Sequence, residues 1–110
     1  MNWFGKLFSE AVPAASPAYG ADALIIDVRT PIEFASGHVQ GAVNLPMEKL
    51  GHNYASVLPD RARRIVVCCQ SGTRSAIAAQ FLRLQRYANV INGGSASDVA
   101  RQLSSEMVQL

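Results

Sequence analysis

The sequence predicts an α/β fold, a mainly parallel sheet with helices on both faces. Three observations predict it. Leu24-Ile25-Ile26-Asp27-Val28, Ile65-Val66-Val67-Cys68 and Val90-Ile91-Asn92 are short apolar runs of the kind that make buried strands. Stretches of strong helix formers lie between them, most clearly Ala76 to Leu84. Strands that alternate with helices are joined by crossovers, and crossovers make parallel pairs. The 110 residues suffice for one core. Residues 1–20 are expected to form an N-terminal helix and linker, and 21–110 the domain.

Composition narrows the function. Apolar residues at 49% exclude disorder, and a net charge of +2 is too small to imply a nucleic-acid partner. No run reaches the ~20 apolar residues of a membrane span. Arg61, Arg63 and Arg64 are the basic cluster, either a solvated edge before a strand or a patch for anionic substrates or a partner protein. The cysteines, Cys68 and Cys69, are adjacent. Neighbouring strand residues point to opposite faces, so a disulfide between them requires distortion. No spacing of Cys and His suggests a metal site, and His38 and His52 read as structural or exposed. A reducing, cytoplasmic location suits an unpaired reactive thiol. Export is the alternative, should the apolar first residues and Ala14-Ala15-Ser16-Pro17-Ala18 act as a signal.

In chain order, Asn2 to Val12 is expected as a short helix carrying Trp3, Phe4, Leu7, Phe8 and Val12, ended by Pro13 and Pro17. The strand Leu24 to Val28 follows. Thr30-Pro31-Ile32-Glu33 is a capping box with Pro at the first helical position, and Ser36-Gly37 stops that helix early. Ala42 to Leu45 is a short extended piece. Met47 to Leu58 reads as a weak helix broken near Gly51. After the strand Ile65 to Cys68 comes a loop, then a helix from Arg74 to about Arg86. Val90 to Asn92 is a short strand, and Gly93-Gly94 a turn. Ser95 or Ser97 caps a last helix running to about Val108.

The loop Cys69-Gln70-Ser71-Gly72-Thr73-Arg74-Ser75 carries the chemistry. It places a sulfur between a strand end and a helix start, where unpaired N–H groups and the helix dipole favour an anion. Such a site lowers a cysteine pKa below the ordinary ~8.5 and activates the thiolate. Gly72 lets the backbone curl, Ser71, Thr73 and Ser75 can hydrogen-bond it, and Arg74 adds the loop's full positive charge. Cys68, inside the apolar run, reads as a small core residue. Asp27 and Arg29 end the first strand on the same sheet edge, where ligands of such folds bind. They are either a structural ion pair or direct contributors to the site.

Together these residues resemble a single-domain rhodanese. Asp27-Val28-Arg29 is similar to the family's first-strand signature. Glu33-Phe34, Gly37-His38-Val39, Gly41-Ala42 and Asn44-Leu45-Pro46 resemble the stretch after it. Val67 to Ser75 resembles the active-site loop, with Cys69 at the persulfide position, and Gly93-Gly94 the final turn. The resemblance runs from about Leu24 to Gly94. It implies a five-stranded parallel sheet and transfer of a sulfane sulfur through a cysteine persulfide. It implies small sulfur-containing anions such as thiosulfate as donors, with cyanide, a small thiol or a protein thiol as acceptor, and no cofactor or metal. A monomer is expected. The chain departs from the family in lacking a Trp after Gly93-Gly94, its one Trp being Trp3, and in showing no helix in Ala14 to Ala23.

Two other functions compete. Five residues separate Cys68 from Arg74, the loop length of one phosphatase and arsenate reductase type, whereas four separate Cys69 from it. A non-catalytic sulfur-relay module is the other. On the sulfurtransferase reading Met1 to about Pro17 is dispensable for chemistry. Its deletion should leave thiosulfate turnover per folded molecule nearly unchanged. A large loss with circular dichroism intact would place the Trp3 segment at the site.

Overall fold

The structure is a computed structural model that describes Tyr19, Gly20 and residues 22–110. The expected N-terminal helix and its Pro/Ala linker lie outside the described residues. The elements in chain order are β1 (Leu24–Asp27), α1 (Pro31–Ser36), β2 (His38–Val39), β3 (Val43–Asn44) and α2 (Met47–Val57). They continue with β4 (Arg64–Cys69), α3 (Thr73–Leu84), β5 (Asn89–Ser95), α4 (Ala96–Leu103) and β6 (Met107–Val108). The α/β class holds. The main sheet has four parallel strands, in the order β3-β1-β4-β5, and β2 and β6 form a separate antiparallel pair.

Alternation along β4 organises the interior. Ile65, Val67 and Cys69 face one core with Ile26, Leu50, Ala78, Ala79 and Leu82, under α2 and α3. Val66 and Cys68 face the other, with Ile25, Val39, Val99 and Ala100, under α4. Each core is apolar on its own side, so the register of β4 is strongly specified. The chain leaves β1 for β3 on one side, then crosses back to β4 on the other. The carboxyl ends of β1 and β4 therefore meet at a topological switch point, the crevice where such folds bind ligands.

Several elements differ from expectation for identifiable reasons. The capping box forms as read, with Thr30 and Glu33 bonding each other's backbone N–H. α2 is continuous through Gly51. Buried Leu50 anchors it to the core, and the cost of one helical glycine is small beside that burial. β5 runs through Gly93 and Gly94, which form no turn. A bulge opposite Val67 and Cys68 absorbs the irregularity, and Gly94 takes a φ of 84°. α4 starts at the Ser95 cap but stops at Leu103. Ser104 turns left-handed there, and Ser105 N–H bonds back to the Ala100 carbonyl. Met107 and Val108 then pair with Val39 and His38 instead of continuing the helix. α4 packs through Ala96, Val99 and Ala100.

Gly93 is where two layers come closest. A Cβ there would sit 2.6 Å from a Val99 methyl and 2.8 Å from a Val66 methyl. Gly93→Ala should cost about 1–3 kcal/mol by overpacking. Urea denaturation checks this, and an unchanged midpoint would mean α4 moves away without penalty.

Candidate active site

The site starts from the last residue of β4. Because Cys69 ends the strand, the chain is released at its sulfur and can curl over it. Gly72 makes the curl with a φ of 103°, a left-handed conformation that glycine adopts without strain. The Gly72 N–H then points at Cys69 Sγ, 2.9 Å away, and the Ser75 N–H lies 3.4 Å from it. The thiol is 3.4 Å from Ser75 Oγ. Burial pushes the Cys69 thiol up. The Ser75 hydroxyl and the backbone N–H groups of Ser75, Gly72 and Ser71 outweigh burial and hold it below the ordinary value. Cys68 has no such partners. Burial, reinforced by the Asp27 carboxylate, pushes its thiol up to about 12.

Ser75 is fully buried at the start of α3. Its Oγ donates toward Gly72 O at 3.0 Å or Asn92 Oδ1 at 2.6 Å. Asn92, on β5, also accepts from Gly94 N–H at 3.0 Å. In the sequence Asn92 reads as an ordinary strand residue. Only the pairing of β5 with β4 brings it to the loop, and no local pattern announces that.

Arg74 differs from expectation. Its guanidinium is bidentate to Glu33, at 2.8 and 3.0 Å, so its charge is matched across the mouth of the loop. The Arg74 hydrogen bonds, followed by those from Thr30, pull Glu33 down to about 2. Glu33 therefore caps α1 and holds Arg74 at once. The sulfur is stabilised by amides and a hydroxyl, with the Arg74 charge acting from further away.

Asp27 and Arg29 do form an ion pair, fully enclosed, with Nη2 to Oδ2 at 2.7 Å and Nε to Oδ1 at 3.0 Å. Arg29 also donates to Gly37 O at 2.7 Å and approaches Gln70 Oε1 at 3.4 Å. The pair therefore ties the end of β1 to the end of α1 and to the first loop residue. Gln70, Ser71 and Thr73 are exposed around the mouth. His38 is structural: it stacks on Phe34 and bonds the Phe34 carbonyl through Nδ1. The arginine cluster lies at the opposite end of β4. There Arg61, Arg63 and Arg64 bond the carbonyls of Gln85, Asp22 and Tyr19, which favours the solvated-edge reading. Among the described residues no group of acidic, His or Cys side chains could hold a metal ion, and no helix is long and apolar enough to cross a membrane.

A strand-end thiol cradled by loop amides, at the switch point of a parallel sheet, defines the class of site. The model of the rhodanese-like domain matches residues 13–97, and the chain belongs to that family. It is 33% identical over 94 residues to the thiosulfate sulfurtransferase PspE of Escherichia coli, covering 86% of this chain and 89% of that protein. It is 39% identical over 72 residues to the thiosulfate sulfurtransferase GlpE of Shewanella oneidensis, covering 64% of this chain and 69% of that one. Among solved structures, a rhodanese with anions from Escherichia coli superposes with a TM-score of 0.72 at 32% identity. The match covers 80% of this chain and 99% of that one.

The raised Cys68 thiol has a consequence for stability. Between the ordinary free-thiol value and about 12 the folded protein keeps a proton that the unfolded chain sheds. The unfolded state then binds fewer protons, so stability falls as pH rises through that window. Tyr19 and Tyr87, raised chiefly by burial, act with the same sign. Urea midpoints measured near neutrality and in that window should show the fall, and Cys68→Ala should lessen it. An identical slope in the variant would refute the assignment to Cys68.

Proposed function

We propose that this protein is a sulfurtransferase that carries a sulfane sulfur on Cys69. One observation carries the reading: the Cys69 sulfur ends the strand inside a ring of N–H groups that stabilise its anion. The named activity of the relatives points the same way. In the first half-reaction the thiolate attacks the outer sulfur of thiosulfate. The S–S bond breaks, sulfite leaves with the electron pair, and a persulfide remains on Cys69. In the second, cyanide or a thiolate attacks the outer sulfur, forms thiocyanate or a new persulfide, and returns the Cys69 thiolate. Neither half needs a cofactor. Cys69 has no exposed surface, so the donor must draw the loop off the sulfur. The outer sulfur of the persulfide then takes over amide contacts that Sγ gives up.

The phosphatase reading on Cys68 finds less support. Its side chain faces the opposite core, and its thiol is pushed up, not down. The test sets thiosulfate with cyanide beside p-nitrophenyl phosphate on one preparation. Cys69→Ser should abolish thiocyanate formation, and Cys68→Ser should retain most of it. Phosphate release that depends on Cys68, without thiocyanate, would overturn the reading.

A further inference from the structure

Ser75 Oγ carries one hydrogen but faces three groups able to accept it. These are Gly72 O at 3.0 Å, Asn92 Oδ1 at 2.6 Å and, when anionic, Cys69 Sγ at 3.4 Å. The Gly72 carbonyl already accepts the Ala76 N–H at 3.0 Å and lies 3.5 Å from Asn92 Nδ2. The orientation of the Asn92 amide is decided by its surroundings. The Gly94 N–H donates to Oδ1, and a flipped amide would set N–H against N–H there. Oδ1 is thus a fixed acceptor at the shortest of the three distances.

We propose that Asn92 is a positioning residue that takes the Ser75 hydroxyl hydrogen while Cys69 is neutral and yields it when the sulfur becomes an anion. With the hydrogen on Asn92, a lone pair of Ser75 Oγ faces Cys69 and accepts from the thiol. When the thiol loses its proton to solvent, the hydroxyl rotates and donates to the thiolate, and Asn92 keeps the Gly94 N–H. No O–H bond breaks. Asn92 therefore competes with the thiolate and sets how far the thiol is lowered. In the persulfide the charge moves to the outer sulfur, and the hydroxyl returns to Asn92. The device favours the loaded enzyme over the bare thiolate. That last step rests on the sulfurtransferase reading; the competition itself does not.

The charged and titratable neighbours sit on the same elements and on those packed against them. They are Cys68 on β4, the Asp27–Arg29 pair at the end of β1, the Glu33–Arg74 pair across α1 and α3, and Asp98 on α4 near Gly94. No hydrogen bond joins Ser75 Oγ or Asn92 to any of these charged side chains.

The test is iodoacetamide alkylation against pH in the Cys68→Ser background, which needs neither donor nor acceptor. Asn92→Ala should lower the Cys69 inflection by roughly half a pH unit, as expected when one neutral hydrogen bond stops competing. In Ser75→Ala, the Asn92→Ala change should have no effect. Asn92 is exposed, so the variant is expected to fold. Should the Gly94 bulge loosen, Asn92→Asp keeps an acceptor there and should raise the inflection more with Ser75 present than in the Ser75→Ala background. An unchanged or higher inflection in a folded Asn92→Ala, or equal shifts with and without the Ser75 hydroxyl, overturns the proposal. Normal shifts without thiocyanate formation would sink only the sulfurtransferase reading.

Discussion

A sulfur held toward its anion sits at the edge of an apolar core, and the local chain sets that balance. Cys69 belongs to the same apolar core as Val67, Ala78 and Leu82, surroundings that alone would keep a thiol protonated. The loop reverses the balance by aiming N–H groups from Gly72 and Ser75 at Sγ. Those N–H groups are available because they belong to a helix start, where no intrahelical carbonyl can use them. Strand end, left-handed glycine and helix start thus act as one unit. Cys68, one residue earlier, shows the opposite outcome: it lies deeper in the interior, no amides face it, and its thiol is pushed up.

Register decides which cysteine receives this treatment. Side chains along β4 alternate, so slipping the strand by one residue would exchange the two thiols between cores. The pairing of Asp27 with Cys68, and the bond from Val28 N–H to the Cys68 carbonyl, hold that register from the β1 side. On the β5 side the bulge shifts the pairing, so that Cys68 faces Gly94 and Asn92 stands beside the loop.

Ion pairs frame the loop without supplying its anion-stabilising power. Asp27 and Arg29 are enclosed, and removing either partner would strand a charge in the interior. Their role is geometric: Arg29 joins β1, Gly37 and Gln70. Glu33 caps a helix and holds Arg74 with the same carboxylate, so α1 and α3 are joined at the mouth of the site. Both pairs use residues that ordinary local rules place for other reasons.

Whatever depends on near neighbours was legible in the chain alone. The apolar runs announced β1, β4 and β5, Thr30 to Glu33 announced the cap of α1, and the position of Cys69 between a strand and a helix start identified the loop. Such features arise from propensity, alternation and capping within a few residues. Long-range packing settled the rest. It kept α2 whole across Gly51 because Leu50 is buried, carried β5 through Gly93-Gly94 because a neighbouring strand was there to pair, and ended α4 early because Met107 and Val108 found β2. It also matched Arg74 with Glu33, 41 residues away, and brought Asn92 to Ser75. Those partners meet only through packing and parallel pairing, so no spacing within the chain could have announced them.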